Sequence, residues 1–205
     1  MNKPLLTSST LTLALLSPHT FAADAGFGVF GAVGQAKHEL KADNNGIDDS
    51  DTSFTLGGEY RFNSNFSVDV RYDNFGAMNY RYADDFSSVD IDYAMTSFSS
   101  SVKGILPLSE QFSLFAKVGI SRWDIDVDLS ATQDNINYSY SESFSDSGTD
   151  FHYGFGGQFA INNNLVIGLE YTMFSAGVSN DSDPEDTSSA DYDISNLSLS
   201  LGYNF

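Results

Sequence analysis

Three kinds of residue in this sequence have the chemistry to act on a ligand or to hold one. They are two internal histidines, clustered carboxylates, and charges of both signs at alternate positions. Acyl transfer needs a nucleophile held beside its base, and on a strand the neighbour on the same face is two residues away. His38 is followed there by Leu40 and His152 by Gly154, so neither histidine has its serine in place. There is no cysteine, which removes thiol nucleophiles, thiolate metal sites and disulfides. The stretch Asp43-Asn44-Asn45-Gly46-Ile47-Asp48-Asp49-Ser50-Asp51 offers oxygen ligands of the type calcium takes, but Ile47 stands where a third ligand belongs and no glutamate closes the loop. A solvated acidic loop is expected, with Asp43, Asp48, Asp49, Asp51, Asp183 and Asp186 as a weak set for divalent ions. No resident cofactor or metal and no enzymatic activity is expected. The third group is Glu59, Arg61, Asp69, Arg71, Asp73, Lys103, Lys117 and Glu170, in mixed signs that suit ion pairing.

What must position these residues is a set of strands, because period-two alternation dominates the chain. Phe54, Leu56, Gly58, Tyr60 and Phe62 share one face and Thr55, Gly57, Glu59 and Arg61 the other. After Asn63-Ser64-Asn65 the pattern resumes as Phe66, Val68, Val70 and Tyr72, which predicts a tight hairpin. A second hairpin turns at Asn162-Asn163-Asn164 and a third through Pro107 to Gln111. With a first strand from Gly26 to about Lys37 and a last from about Ile194 to Phe205, the expectation is eight antiparallel strands. Long connections are expected near residues 38–52, 74–90, 124–149 and 175–191. The alternation shifts phase at Asp92 to Thr96 and at Ser121 to Trp123, which fits either bulges or strands projecting beyond the barrel. Three short turns opposite four long, Asp- and Ser-rich connections is the asymmetry of an all-β, up-and-down transmembrane barrel.

Alternation alone does not say which face looks outward, since a soluble barrel alternates too. The charges decide: an Arg or Lys facing lipid costs about 2–4 kcal/mol near the midplane, whereas in a narrow eight-stranded lumen the charges can pair. The aromatic face is therefore expected outside, with Tyr60, Trp123 and Tyr203 as interface anchors.

The ends and the charge add a compartment. Lys3, the apolar run Leu11 to Leu16, Pro18 and the small residues Thr20 and Ala22 read as a signal peptide cut after Ala22. That run is far short of the roughly 20 apolar residues a membrane helix needs. Residues 23–205 are then one barrel domain. The formal net charge of −19 is concentrated in the predicted connections, and with no basic stripe the chain is not expected to bind nucleic acid.

At the C-terminus Leu197, Leu199, Leu201, Tyr203 and Phe205 alternate with small or polar residues up to a terminal aromatic. This resembles the targeting strand of bacterial outer-membrane proteins that the barrel-assembly machinery reads, with Leu201, Tyr203 and Phe205 as the signal. The stretches EYRFNSNFSVDVRYDNFG at 59–76, KGILPLSEQFSLFAKVG at 103–119 and YGFGGQFAINNNLVIGLEY at 153–171 resemble the OmpA transmembrane domain and the small OmpX/Ail barrels. The resemblance implies a barrel without the peptidoglycan-binding domain of full-length OmpA. It also implies an internal gate, in which Asp69 and Lys103 match a pair across neighbouring strands. The gate's other acid and arginine align with Gln158 and Gly168, which leaves a pore-opening exchange incomplete, with Lys117 and Glu170 as substitutes. An outer-membrane monomer is expected, with periplasmic termini, lipid and lipopolysaccharide around it, and extracellular loops that meet a host or surface ligand. A narrow ion channel and a soluble periplasmic lipid-binding barrel stay open as alternatives.

If the terminal aromatic is the assembly signal, deleting Phe205 or making Phe205→Lys leaves export intact and lowers outer-membrane insertion. Fractionation with a gel-shift assay before and after boiling checks this, and normal insertion of both variants refutes the targeting reading.

Overall fold

Side chains that alternate between two surroundings force extended chain, and the sequence does so eight times. In the computed structural model, which describes residues 25–42, 45–84, 87–133, 138–179 and 189–205, the strands are β1 (Gly26–Ala42), β2 (Asn45–Arg61), β3 (Phe66–Ala83), β4 (Ser87–Pro107), β5 (Phe112–Gln133), β6 (Tyr138–Ala160), β7 (Leu165–Ser179) and β8 (Ser189–Asn204). Each pairs antiparallel with its sequence neighbours, and β8 returns to β1, closing the sheet into a barrel. The predicted signal segment, residues 1–22, lies outside the described residues.

Three tight turns and the two ends of the barrel's chain lie together at one end. Two of the turns use the same device: Asn63 Oδ1 accepts the N–H groups of Asn65 and Phe66 at 2.8 and 3.0 Å, and Asn162 Oδ1 those of Asn164 and Leu165 at 2.9 and 2.8 Å. An asparagine side chain thus stands in for backbone at the corner.

From this end every strand carries an outward apolar run that stops at a polar residue. On β5 the run is Leu114, Ala116, Val118 and Ile120 before Arg122; on β8 it is Tyr203, Leu201, Leu199 and Leu197 before Ser195; on β1 it is Phe27, Val29, Gly31 and Val33 before Gln35. Counted from the exposed Phe112 and Phe205 at the turn end, the runs on β5 and β8 span residues 112–120 and 197–205, close to the nine to eleven or so tilted residues that cross a bilayer. Aromatic rings mark both borders. At the turn end Tyr60 contacts both Phe27 and Phe62, with ring centroids 4.7 and 5.0 Å apart, Phe155 and Tyr171 meet at 5.7 Å within the belt, and exposed Phe151 on β6 lies at its far side.

The expected long connections are mostly strand. β1 and β2 pair out to Ala42 and Asn45, β4 and β5 out to Ser87 and Gln133, and β5 and β6 out to Gln133 and Tyr138. Their Ser- and Asp-rich composition argues against strands locally, but each hairpin continues a ladder the barrel has already aligned, so its register is given.

The barrel is not continued evenly. Pairing between β2 and β3 stops at Phe54 and Asn74, and pairing between β6 and β7 stops at His152 and Phe174. Beyond those points the sheet splits in two, β3-β4-β5-β6 and β7-β8-β1-β2. At the first seam β3 is bulged between Asn74 and Ala77, Gly76 has φ of 79°, and Asp51 Oδ2 accepts the Ala77 N–H at 2.8 Å. A carboxylate thereby takes the place of a missing partner strand. The N–H groups of Ala77 and Thr52 hold the Asp51 carboxyl below its ordinary pKa.

Gly76→Ala should loosen this seam by about 1–2 kcal/mol, because the residue must keep a left-handed backbone, and its Cβ would lie 2.4 Å from Asp51 Oδ2. Since the folded pKa of Asp51 is depressed, its contribution is present above the ordinary aspartate value of about 3.9 and is lost as pH falls through the folded value. Hydrogen exchange at the Ala77 amide reads both effects, and unchanged exchange in Asp51→Asn contradicts the capping role.

Candidate functional site

Inward positions fall into three layers. The layer nearest the turn end is ionic, and the residues predicted for a lumen network meet there. Glu170 on β7 reaches across the lumen to two strands: its Oε1 is 2.6 Å from Arg71 Nη1 on β3 and 2.5 Å from Lys117 Nζ on β5, and it accepts the Thr172 hydroxyl at 2.8 Å. Arg71 Nε lies 3.1 Å from Asp73 Oδ2, and the Thr55 hydroxyl donates to Asp73 Oδ1 at 2.7 Å. Lys103 is bound directly to Glu59 and stands 4.8 Å from the centre of the Phe115 ring. Arg61 Nη2 lies 3.4 Å from both Glu59 Oε1 and Gln158 Oε1.

The expected Lys103–Asp69 pair is therefore corrected. The sheet register sets Asp69 opposite Ser101 and Lys103 opposite Ser67, so Lys103 reaches past β3 to Glu59 while Asp69 accepts the Ser101 hydroxyl at 2.8 Å. Among the described residues the layer holds four carboxylates, Glu59, Asp69, Asp73 and Glu170, and four cations, Arg61, Arg71, Lys103 and Lys117. It is formally neutral.

The second layer is built of hydroxyls around His152. Its Nε2 is 3.2 Å from Ser101 Oγ and its Nδ1 2.9 Å from Ser121 Oγ, and Ser121 continues to Ser99 at 2.7 Å. Because the Ser101 proton is committed to Asp69, Nε2 donates to Ser101 and Nδ1 accepts from Ser121. Sequence reading missed this cluster because the serines come from other strands, although Ser97, Ser99 and Ser101 alternate visibly on β4. His152 is 1% exposed, so the adjacent serine has no route to a substrate. His38 is buried and hydrogen-bonded too, and its Nε2 donates to the Phe75 carbonyl at 3.0 Å.

The third layer is apolar: Ala36, Phe75, Met95, Trp123, Ile125, Phe174 and Ile194 pack together. Each lies beyond the end of its own strand's outward apolar run, so this plug sits above the lipid belt. Trp123, expected as an interface anchor, is 2% exposed inside the plug and donates its indole N–H to Asp150 at 2.8 Å. A glycine explains the room: a Cβ on Gly148, its partner on β6, would lie 2.4 Å from Trp123 Cζ2. Gly156 opposite Phe115 and Gly57 opposite Phe30 serve the same purpose.

Of the expected divalent ligands, Asp48 lies 3.3 Å from Lys37, Asp49 accepts the Ser50 N–H, and Asp51 caps the bulge. Among the described residues no group of three ligating side chains converges. Asp43, Asp183 and Asp186 lie outside them.

An apolar, ring-bordered exterior around a neutral ionic interior is the inverse of a soluble ligand-binding barrel, and it decides between the two. The sequence matches the outer membrane protein beta-barrel domain over residues 8–205. The chain belongs to that family. Solved structures of similar fold include Ail of Yersinia pestis in complex with the heparin analogue sucrose octasulfate, at 20% identity, TM-score 0.52, covering 88% of this chain and 99% of that one. Neisserial surface protein A follows at 14%, 0.58, 88% and 97%, and OprG of Pseudomonas aeruginosa at 12%, 0.52, 88% and 96%. No curated protein matches the sequence. As an outer-membrane barrel the chain needs its lumen charges paired, because lipid on all sides leaves them no other solvent.

Glu170→Gln removes the acid shared by Arg71 and Lys117 and should destabilise this outer-membrane barrel by about 3 kcal/mol, less where lumen water screens the charges. In urea unfolding, the double-mutant cycle of Lys103→Met with Glu59→Gln should show stronger coupling than the cycle with Asp69→Asn. The reverse order would restore the Asp69 pairing.

Proposed function

We propose a non-enzymatic, non-conducting outer-membrane monomer whose task is to hold a two-part β extension above the cell surface for contact with external partners. The observation that carries this reading is the apolar plug. It stands between the neutral ionic layer and the outside, and β5 runs on past it for eight residues, from Ile125 to its end at Gln133. An ion path would need wetted polar side chains there. A surface role needs only rigid presentation, which continuous hairpins supply.

In this reading the turn end and both chain ends face the periplasm, and the acidic extension is extracellular beside lipopolysaccharide. Leu201, Tyr203 and Phe205 enter through the barrel-assembly machinery. The family's outer-membrane location and the apolar belt support that orientation, since short turns face the periplasm in such barrels. The sulfated analogue held by Ail is a polyanion. This extension carries Asp90, Asp92, Asp124, Asp126 and Asp128, so its partners differ in charge even if they meet the same end of the barrel.

The absence of cysteine makes the test direct. On intact cells a membrane-impermeant maleimide should label Ser143→Cys and leave Ser64→Cys, in a tight turn, unlabelled. Purified protein in planar bilayers should show no discrete conductance steps. Labelling of Ser64→Cys alone reverses the orientation, and steady unitary currents would falsify the closed-lumen reading.

A further inference from the structure

We infer that a cavity on the outer surface of the barrel, at the foot of the seam between β6 and β7, holds the headgroup of an amphiphile that carries both a phosphate and a primary amine. The sheet register makes the cavity. β6 and β7 stay paired through Tyr153 and Met173, and their last pair is His152 and Phe174. Beyond it β7 continues beside β8, with Ser175 opposite Asp193, and loses its neighbour on the β6 side. The notch left there has a volume of about 220 Å³ and is lined from β6, β7, β8 and β1. Its occupancy depends on the lipid belt around the barrel and not on which way the extension points.

The two walls of the notch differ in chemistry. Tyr153, Tyr171 and Met173 form the lower one, near the top of the outward apolar runs of β6 and β7. Lys37, Glu39 and Asp193 form the upper one, above Val33 and Leu197, the last outward apolar residues of β1 and β8. A water-soluble ligand would have to displace lipid from the lower wall, and an acyl chain alone would desolvate the charges of the upper one at a cost. An amphiphile with its headgroup at the polar border suits both.

Glu39 decides what the headgroup carries. It is the middle of three acids aligned across the strands, opposite Asp48 on β2 and Asp193 on β8, and like charges directly opposed are destabilising. Asp48 has Lys37 at 3.3 Å, and Asp193 accepts the Ser175 hydroxyl at 2.5 Å. Among the described residues the half-buried Glu39 carboxylate has no ion pair or hydrogen bond. A primary ammonium in the cavity supplies the missing opposite charge together with N–H donors. Lys37 stands two residues back on the same face, about 7 Å along the strand, with Ser195 opposite it. Its pair with Asp48 is solvent-exposed and therefore weak, so the ammonium of Lys37 is free to turn to a phosphate, with the Ser195 hydroxyl beside it. A cation and an acid at this spacing fit a headgroup in which a short linker joins phosphate to amine. An anionic headgroup without an amine would meet Glu39 as repulsion.

The test is native mass spectrometry of the folded barrel released from micelles that carry equal amounts of phosphatidylethanolamine, its N-acetyl derivative and phosphatidylglycerol, all with the same acyl chains. One phosphatidylethanolamine should be retained at least about tenfold over either of the others, the scale of one hydrogen bond between charged groups. Glu39→Gln should abolish that preference. Asp48→Asn, which removes an acid outside the cavity, should leave it intact, and a gel shift before and after boiling shows that both variants are folded. In the unsubstituted protein, hydrogen exchange at residues 37–39 and 193–195 should slow with phosphatidylethanolamine and not with phosphatidylglycerol. Soluble phosphoethanolamine should displace the lipid only in large excess. Equal retention of the three lipids, or exchange that ignores the amine, overturns amine recognition. A loss in Asp48→Asn as large as in Glu39→Gln overturns the site, since general surface charge would then account for the preference. Displacement by an equal concentration of soluble phosphoethanolamine overturns the amphiphile in favour of the headgroup alone.

Discussion

Lipid offers no hydrogen bonds, and the rest of this structure answers to that fact. Every backbone N–H and C=O inside the hydrocarbon layer must find a partner within the protein, which for strands means a sheet closed on itself. Closure fixes two faces with period two. One must suit lipid along the whole belt, and the other is sealed from both lipid and bulk water. The outward Leu, Val, Phe and Tyr residues follow from the first condition, and the pairing of Glu170 with Arg71 and Lys117 from the second.

The same closure partitions the charge of the molecule. Four acids and four bases among the described residues cancel within the lumen, so the large formal excess of negative charge falls on the segments outside the belt. A narrow barrel can hide opposite charges only in equal numbers, because each unpaired one would keep its full desolvation cost. A solvated sheet has no such limit. The acidic character of the extension is thus free to reflect what it meets, while the lumen is bound to neutrality.

How much of this was legible follows from which physics is local. Period-two alternation is written residue by residue, so the strands, the Asn63 and Asn162 turns and the outward face of Leu114 or Leu199 could be read directly. Lumen membership was legible too, since Glu59, Lys103 and Lys117 alternate with apolar residues. The pairing was not, because register and reach across the barrel decide it: Lys103 bypasses Asp69 for Glu59, and His152 meets serines from β4 and β5. Trp123 was misread because an aromatic near a belt edge fits a lipid anchor or an internal plug equally well, and only Gly148 opposite it distinguishes the two. The connections were misread because Ser and Asp favour loops locally, whereas a hairpin already seated in a barrel extends its ladder against that preference.

The plug of Phe75, Met95, Trp123, Phe174 and Ile194 has one more consequence. Lipid-facing side chains gain nothing from hiding from water, but the plug lies where the strands have left the lipid, so its cohesion is the ordinary aqueous kind. It brings with it the large positive heat capacity of exposing apolar surface to water, and its cohesion weakens on cooling. The belt below it is insensitive to that change. The two halves of one continuous sheet therefore obey different temperature laws, and chilling slackens the outer half while the embedded half keeps its grip.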